Sequence, residues 1–381
     1  MTVNTAAWLV AKHARLEVKS APYTPPRENE IVIKNHAVAI NPLDWIKQCG
    51  GDFLFSWIKY PFILGSDLAG EVVEVGTGVS RFKVGDRVLG HAVGVDKKRN
   101  NPAEGAFQEY IVILDHMAAP IPSTMSYESA AVLPLGLSTA ACGLFEKDQL
   151  ALQYPSVPLN PTGKALLVWG GSTSVGSNAI QLAVAAGYEV ITTSSQRNFD
   201  YVKKLGASQV FDYNSKTVVK DVIEAFKGKT IAGALAIGRG AADVCLDIVH
   251  ACDGDKFVSM ATFPISFEKL TKGSGVGFQL LLQAPKLLSF NVSRLFKSLT
   301  WHIRTNFIFG TSLMENEVSR VIYVDFLPSA LAEGQYVAVP EPFVVGEGLN
   351  SIQAGLDLQM KGVSAKKVVV SLLPDNNEIG E

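Results

Sequence analysis

Over the first third of the chain, apolar and polar residues alternate in short runs punctuated by glycine, proline and aspartate. Residues 30–34, 70–76 and 87–90 each predict a strand, and together a compact, irregular β region. Residues 91–105 are charged and turn-rich and predict a surface loop. The pattern changes near Tyr127. Residues 129–145 are apolar and rich in small side chains, which predicts a buried helix, and Pro155, Pro158 and Pro161 mark a loop beyond it. From Ala165 onward strands alternate with helices. Strands are expected at 165–169, 189–193, 209–211, 234–237 and 256–261, with helices at 177–186, 199–205, 217–226 and 241–251. Continuous apolar strands between helices imply a parallel sheet covered on both faces. Residues 278–303 carry Leu, Phe, Lys and Arg at helical spacing. They read as a helix packed on its own protein, with an amphipathic lid or membrane-surface helix as the alternative. Residues 337–343 look turn-like, 349–360 helical and 367–372 a strand.

Composition narrows the class. Lys plus Arg number 34 against 36 Asp plus Glu, a net charge of −2, which argues against a general nucleic-acid binder. With 48% apolar and 18% charged residues, the 381-residue chain can bury a large core, and its length suits two or three domains of about 100–200 residues. The four cysteines, Cys49, Cys142, Cys245 and Cys252, form no CxxC pair and suit neither a disulfide scaffold nor a zinc lobe. A reducing, cytoplasmic location is expected. The apolar run at 6–10 is too short for a signal segment and is followed by Lys12, His13 and Arg15. Residues 165–188 lack charge and are long enough to span a bilayer, but residues 170–178 place polar groups in the middle that lipid cannot satisfy. A buried strand, a glycine turn and a buried helix are expected there, and no transmembrane segment.

That strand–turn–helix is the strongest local signal. Gly171 and Gly176 hold the first and third glycine positions of a dinucleotide fingerprint, and Thr173 replaces the second. The helix that follows would aim its unpaired N–H groups, including that of Val175, at a pyrophosphate. Ser172, Thr173 and Ser174 add hydroxyl donors. An NAD-binding fold would place Asp or Glu about twenty residues on, against the ribose 2′-hydroxyl. Here the segment reads Thr193-Ser194-Ser195-Gln196-Arg197-Asn198, with no acid. Ser194, Ser195 and Arg197 suit a 2′-phosphate, so NADPH is expected over NADH. Asn198 either joins that site or caps the next helix, and Tyr213 is placed to pack on the adenine edge or reach the same phosphate.

With these residues in view, the chain resembles the zinc-independent, quinone-oxidoreductase-like branch of the medium-chain dehydrogenases/reductases. The resemblance runs through Asn41-Pro42-Leu43-Asp44-Trp45, Leu64-Gly65-Ser66-Asp67-Leu68-Ala69-Gly70, Gly76 with Lys83-Val84-Gly85-Asp86-Arg87-Val88, and Gly105-Ala106-Phe107-Gln108-Glu109-Tyr110. It continues through Leu133-Pro134-Leu135-Gly136-Leu137-Ser138-Thr139-Ala140 and the nucleotide loop. Within the branch the chain is most similar to fungal trans-acting enoyl reductases and CipB-like oxidoreductases, on Gly170-Gly171-Ser172-Thr173 and Asn198-Phe199-Asp200. The resemblance implies an α/β architecture. A GroES-like β-rich catalytic domain (1–126, with a C-terminal return over 313–381) would flank a Rossmann NADPH-binding domain at 127–312. Zinc alcohol dehydrogenases are similar in outline, but Asn41 stands where they have Cys, and Gly65-Ser66-Asp67 where they have Gly-His-Glu. Asn and Ser are poor zinc ligands, so no metal is expected.

The implied activity is NADPH-dependent hydride transfer to an enoyl or enone double bond, or to a quinone-like acceptor, with a small-molecule substrate. Donors aimed at the carbonyl oxygen would lower the barrier. Similar enzymes carry Tyr or Lys two positions after the motif Asp. Here that position is Ile46, and Lys47 follows one later as the candidate donor. Thr139 matches a position near the nicotinamide, and Asn41 is expected to hold backbone or nicotinamide ribose. The alternatives are an NADPH-binding partner of a larger synthase or membrane assembly with little turnover, and an alcohol dehydrogenase. A homodimer or a monomer is expected.

Overall fold

The computed structural model describes residues 3–372 apart from 54, 157, 266 and 268–275. The chain divides into two compact units, one of Met1–Leu135 with Ile322–Glu381 and one of Gly136–Val321.

The first unit is β-rich. It begins with β1 (Asn4–Leu9), β2 (Leu16–Ala21), β3 (Glu30–Ala39), β4 (Phe62–Ile63), β5 (Asp67–Val75), β6 (Arg87–His91), β7 (Tyr110–Leu114) and β8 (Ala118–Pro120). A small sheet runs β2-β1-β4, while β3, β5, β6 and β8 pair antiparallel in order within a larger mixed one, with β7 also paired to β3. Register shifts between β3 and β5, at Val32/Ile33 and Asn35/Ala37, bend this sheet. Between β3 and β4 the chain forms α1 (Pro42–Gly50), whose Pro42 sits at the start, where its missing N–H costs nothing. The apolar stretch at 129–145 is two helices rather than one: α2 (Tyr127–Ala131) and α3 (Pro134–Phe145). Pro134 lacks the N–H that would continue α2 and instead opens the next helix.

The second unit alternates strand and helix. In order come β9 (Lys164–Trp169), α4 (Ser174–Ala185), β10 (Glu189–Ser194), α5 (Phe199–Lys204), β11 (Gln209–Asp212) and α6 (Val218–Ala225). Then follow β12 (Thr230–Ala236), α7 (Ala241–Ala251), β13 (Phe257–Met260), α8 (Val276–Trp301) and β14 (Arg304–Phe307). The strands are all parallel, in the order β11-β10-β9-β12-β13-β14. This is the doubly wound dinucleotide-binding order, which reverses direction between β9 and β12. The chain then returns to the first unit through α9 (Leu327–Ala332), β15 (Glu341–Glu347), α10 (Ile352–Lys361) and β16 (Lys366–Ser371). β16 joins β15 to β3. The segment read as a turn at 337–343 therefore passes into strand β15.

The second unit's core is the apolar run of β9 with its neighbours. Leu167, Ile191, Ala234, Val258, Leu246 and Val249 are all wholly buried in one cluster. Among the described residues the one stretch long and apolar enough to cross a membrane is Tyr127–Phe145, the pair α2 and α3, and most of it is buried inside the protein. Leu167→Ala removes a central side chain that its neighbours cannot close over. It should lower stability by about 2–5 kcal/mol, read as an earlier midpoint of urea unfolding, and an unchanged midpoint would contradict the core assigned here.

Candidate functional site

The first group of candidate residues surrounds the turn from β9 to α4. Gly170 takes a positive φ of 92°, which turns the chain out of the strand. A Cβ on Gly176 would overlap the Gly170 carbonyl, and one on Gly171 would overlap the Thr192 hydroxyl. Only glycine lets the helix start this close to the strand. Thr173 is the N-cap of α4: its Oγ1 accepts from Gly176 N at 3.0 Å and donates to the Gly170 carbonyl at 2.8 Å. The Thr173 hydroxyl, read as a ligand donor, is thus committed to the turn. Ser177, which the motif reading passed over, ties the turn from behind, its Oγ reaching Gly171 O at 3.1 Å and Tyr201 Oη at 2.8 Å. The turn is also fixed to the neighbouring strand by Gly171 N to Thr193 O at 2.9 Å and Gly170 N to Thr193 Oγ1 at 3.1 Å.

What this leaves open at the helix start is a polar cradle. Ser172, Ser174 and Val175 are half-buried. The Ser174 hydroxyl is buried without a hydrogen-bond partner. A buried hydroxyl costs free energy unless something pairs with it, so an oxygen-rich ligand fits here. The site also draws on α3. A Cβ on Gly136 would overlap Ser174 Oγ, so the start of α3 lies against the cradle. Thr139, three residues further along α3, is half-buried on the same helical face.

The ends of β10 and β11 complete the group. Ser194 and Asp212 are register partners, and Tyr213 N reaches Ser194 O at 3.4 Å. Ser195, Arg197 and Asn198 form a short 3-10 turn in which Asn198 Nδ2 donates to Ser195 Oγ at 3.2 Å. Arg197 is exposed, and Tyr213 is 47% exposed. The Asp212 carboxylate is occupied by Asn214, accepting from its N at 2.9 Å and its Nδ2 at 3.0 Å. Arg239, unremarked in the sequence, is exposed in the turn after β12. It lies beside the glycine turn because Ile237 N donates to Trp169 O at 3.1 Å. Its signal was the pair of flanking glycines, Gly238 and Gly240, both with positive φ.

The remaining candidates, Asn41 and Lys47, belong to the first unit. Asn41 is the N-cap of α1 and is 3% exposed. Its Nδ2 donates to Asp67 Oδ2 at 2.8 Å, and its Oδ1 accepts from Lys367 Nζ at 2.5 Å. Lys367 and Asp67 form an ion pair of 2.8 Å, and Asp67 Oδ1 also accepts from Leu135 N at 2.6 Å. Of this buried charge cluster, Asn41 and Asp67 fall in the quoted motifs, while Lys367 carried no sequence signal. Nearby, Asp44 accepts from Asn41 N at 2.8 Å. Burial above all, reinforced by the charge of Asp67, pushes its carboxyl up to about 7. Burial pushes the His91 imidazole down to about 4, so it is neutral at physiological pH. Among the described residues no group of three or more His, Cys, Asp or Glu side chains is arranged to hold a metal.

Lys47 is neither a surface lysine nor open to a ligand. It is 1% exposed, and its Nζ donates to Gly51 O at 2.9 Å and Phe55 O at 3.2 Å, with Tyr60 beneath it. Burial lowers its pKa. The ammonium braces the turn that follows α1.

Two family profiles match the chain: the Alcohol dehydrogenase GroES-like domain over residues 27–123, and Zinc-binding dehydrogenase over residues 174–254. The chain is 55% identical to dehydrogenase pigH of Monascus ruber, covering 98% of this chain and 100% of that protein. It is 37% identical to trans-enoyl reductase himH of Aspergillus japonicus, covering 97% and 98%. Its fold is similar to the solved quinone oxidoreductase from Coxiella burnetii, with a TM-score of 0.66 at 22% identity over 97% of this chain and 100% of that one.

The Asp44 environment yields a test. The carboxyl has a higher pKa folded than its ordinary value of 3.8. The folded state therefore holds a proton that the unfolded state has released, and its contribution to stability, full below about pH 4, is lost as pH rises through about 7. Asp44→Asn keeps an acceptor for Asn41 N but cannot ionise. The variant should lose less stability than the wild type between pH 4 and pH 7, measured by urea unfolding across that range. Parallel pH profiles for the two proteins would refute the assignment.

Proposed function

The chain belongs to the medium-chain dehydrogenase/reductase family and is an oxidoreductase; from that premise we propose that it is an NADPH-dependent, zinc-independent reductase of an activated double bond, enoyl or enone, or of a quinone-like acceptor. The observation that carries the reading is the polar cradle at the start of α4. There the buried Ser174 hydroxyl lacks a partner, and the adjoining β10 exit offers half-buried Ser195 and exposed Arg197 where an acid would favour NADH, with Ser194 wholly buried behind them and donating to Ser195 O at 3.1 Å.

In this reading the N–H groups at Ser174 and Val175 take the pyrophosphate at the positive end of the helix, with Ser172 and Arg239 at its flanks. Arg197 and Ser195 hold the 2′-phosphate, Ser194 supports them from behind through Ser195 O, Asn198 fixes Ser195 for that task, and Tyr213 closes on the adenine. Thr139 positions the nicotinamide from α3. When bound, the reduced nicotinamide supplies the hydride. Charge then gathers on the acceptor's carbonyl oxygen, where hydrogen-bond donors stabilise it, and the α-carbon takes up a proton. Asn41 acts from behind, holding Asp67 and Lys367. Zinc independence is supported by the chemistry of that cluster. A resident ammonium lies against both Asn41 and Asp67, and a divalent cation there would be repelled by it. A cytoplasmic setting is supported by four cysteines that are free thiols. The enoyl assignment draws on himH and the quinone alternative on the Coxiella burnetii enzyme.

Three experiments test this. Arg197→Ala removes a charge-assisted hydrogen bond worth about 1.5–3 kcal/mol. It should weaken NADPH binding by roughly tenfold or more and leave NADH nearly unchanged, read by quenching of tryptophan fluorescence. Unchanged NADPH affinity would refute the 2′-phosphate site. NADPH oxidation with enones, enoyl thioesters or quinones should survive chelators, whereas tight binding with no turnover on any of them would make the protein a nucleotide-binding partner instead. Lys47→Met addresses the other catalytic candidate. We assign Lys47 to bracing, so the variant should unfold at lower temperature while kcat of the folded enzyme stays within about threefold, a barrier change of under about 1 kcal/mol. A collapse of kcat with unchanged thermal stability would return Lys47 to the role of donor.

A further inference from the structure

Helix α8 turns two aromatic rings and two cations inward and its leucines out. On the inner side Phe290 and Trp301 pack against the second unit's core. Between them Arg294 Nη1 donates to Thr305 Oγ1 at 2.9 Å, and Lys297 Nζ pairs with Asp247 Oδ1 at 2.6 Å. On the other side Leu281, Leu288, Val292, Leu295 and Leu299 are each 59–67% exposed, with Pro285 exposed among them. Leu282 and Phe296 widen the stripe. Seven large apolar side chains, each more than half exposed, thus share one side of a single helix, and a contiguous apolar patch of this kind marks an interaction surface.

The spacing says what covers the stripe. From Leu281 to Leu299 the steps along the chain alternate between four and three residues, which is the seam of a helix that packs on another helix. The series is also symmetric about position 290. Laid antiparallel on itself, it brings Leu281 to Leu299, Pro285 to Leu295 and Leu288 to Val292. Such self-complementarity is what a two-fold interface requires. No acidic residue lies on α8, and its basic residues Lys286, Arg294 and Lys297 stand off the stripe, so no like charges meet across the seam. A helix lying on a membrane would instead keep its basic face free for headgroups, whereas here Arg294 and Lys297 are held by Thr305 and Asp247.

We propose that α8 is a self-association surface on which two copies of this chain pack antiparallel about a two-fold axis level with Phe290. Sedimentation velocity on the full chain at micromolar concentration should give a particle of twice the 40.9 kDa chain mass. Leu288→Glu and Val292→Lys should each yield monomers with the wild-type circular dichroism spectrum, since both side chains are exposed in the single chain. The double variant Leu288→Glu/Val292→Lys places opposite charges across the antiparallel seam and should restore the dimer. Lys286→Glu, off the stripe, should leave it intact. A wild-type monomer, or a dimer that persists in both single variants, would overturn the proposal. So would monomers that float with phosphatidylserine vesicles, which would assign the stripe to a membrane.

Discussion

The Gly170 carbonyl and the first turn of α4 lie so close that no side chain fits between them, and the second unit is organised around that approach. It places the start of α4 against the end of β9, so the helix's unpaired N–H groups face the crevice where the strand order reverses. It also explains why the turn is cross-linked to β10 through Thr193 and braced from behind by Ser177 and Tyr201. A turn held from several sides presents its remaining polar atoms without reorganising. The Ser174 hydroxyl is then unsatisfied because of the geometry around it, which is the condition under which a ligand oxygen gains most.

The first unit solves a different problem, a carboxylate taken wholly out of water. Asp67 is 0% exposed, and burying a charge is unfavourable unless it is both paired and hydrogen-bonded. Three partners meet that requirement: the Lys367 ammonium, the Asn41 amide and the Leu135 N–H. They come from β16, the start of α1 and the start of α3, so one buried charge ties together segments far apart in sequence. The same charge explains Asp44. A second anion beside Asp67 would add repulsion to desolvation, and the proton that Asp44 retains to about pH 7 relieves both.

These two centres were unequally legible in the sequence. The glycines at 171 and 176 and the alternation of apolar strands with helices carry their physics locally, and the parallel sheet follows them closely. The hydroxyl of Thr173 caps α4, and a serine- or threonine-rich turn looks the same in sequence whether its oxygens cap a helix or face a ligand. The burial of Lys47 is illegible for a related reason: nothing local shows that the carbonyls of Gly51 and Phe55 fold over its ammonium. The partnership of Asn41 and Lys367, 326 residues apart, leaves no local trace at all. At Pro134 and at Pro340 and Pro342 the chain's own punctuation misled, splitting one expected helix and disguising the entry to β15 as a turn.

Helix α8 shows the remaining limit. Periodicity in 278–303 identifies a helix and an apolar stripe, but period alone does not say which side faces the protein. The ordinary rule would bury the leucines. Here the opposite side wins because Phe290 and Trp301 supply apolar anchors at its middle and its C-terminal end, and because Asp247 and Thr305 pair with Lys297 and Arg294. The rings of Phe290 and Trp301 and the bonds of Arg294 and Lys297 together fix which side of the helix faces the protein. The apolar stripe is therefore exposed as a consequence of how the second unit satisfies its own charges, and its coverage is left to a surface with the same spacing, which a second copy of the helix possesses by identity.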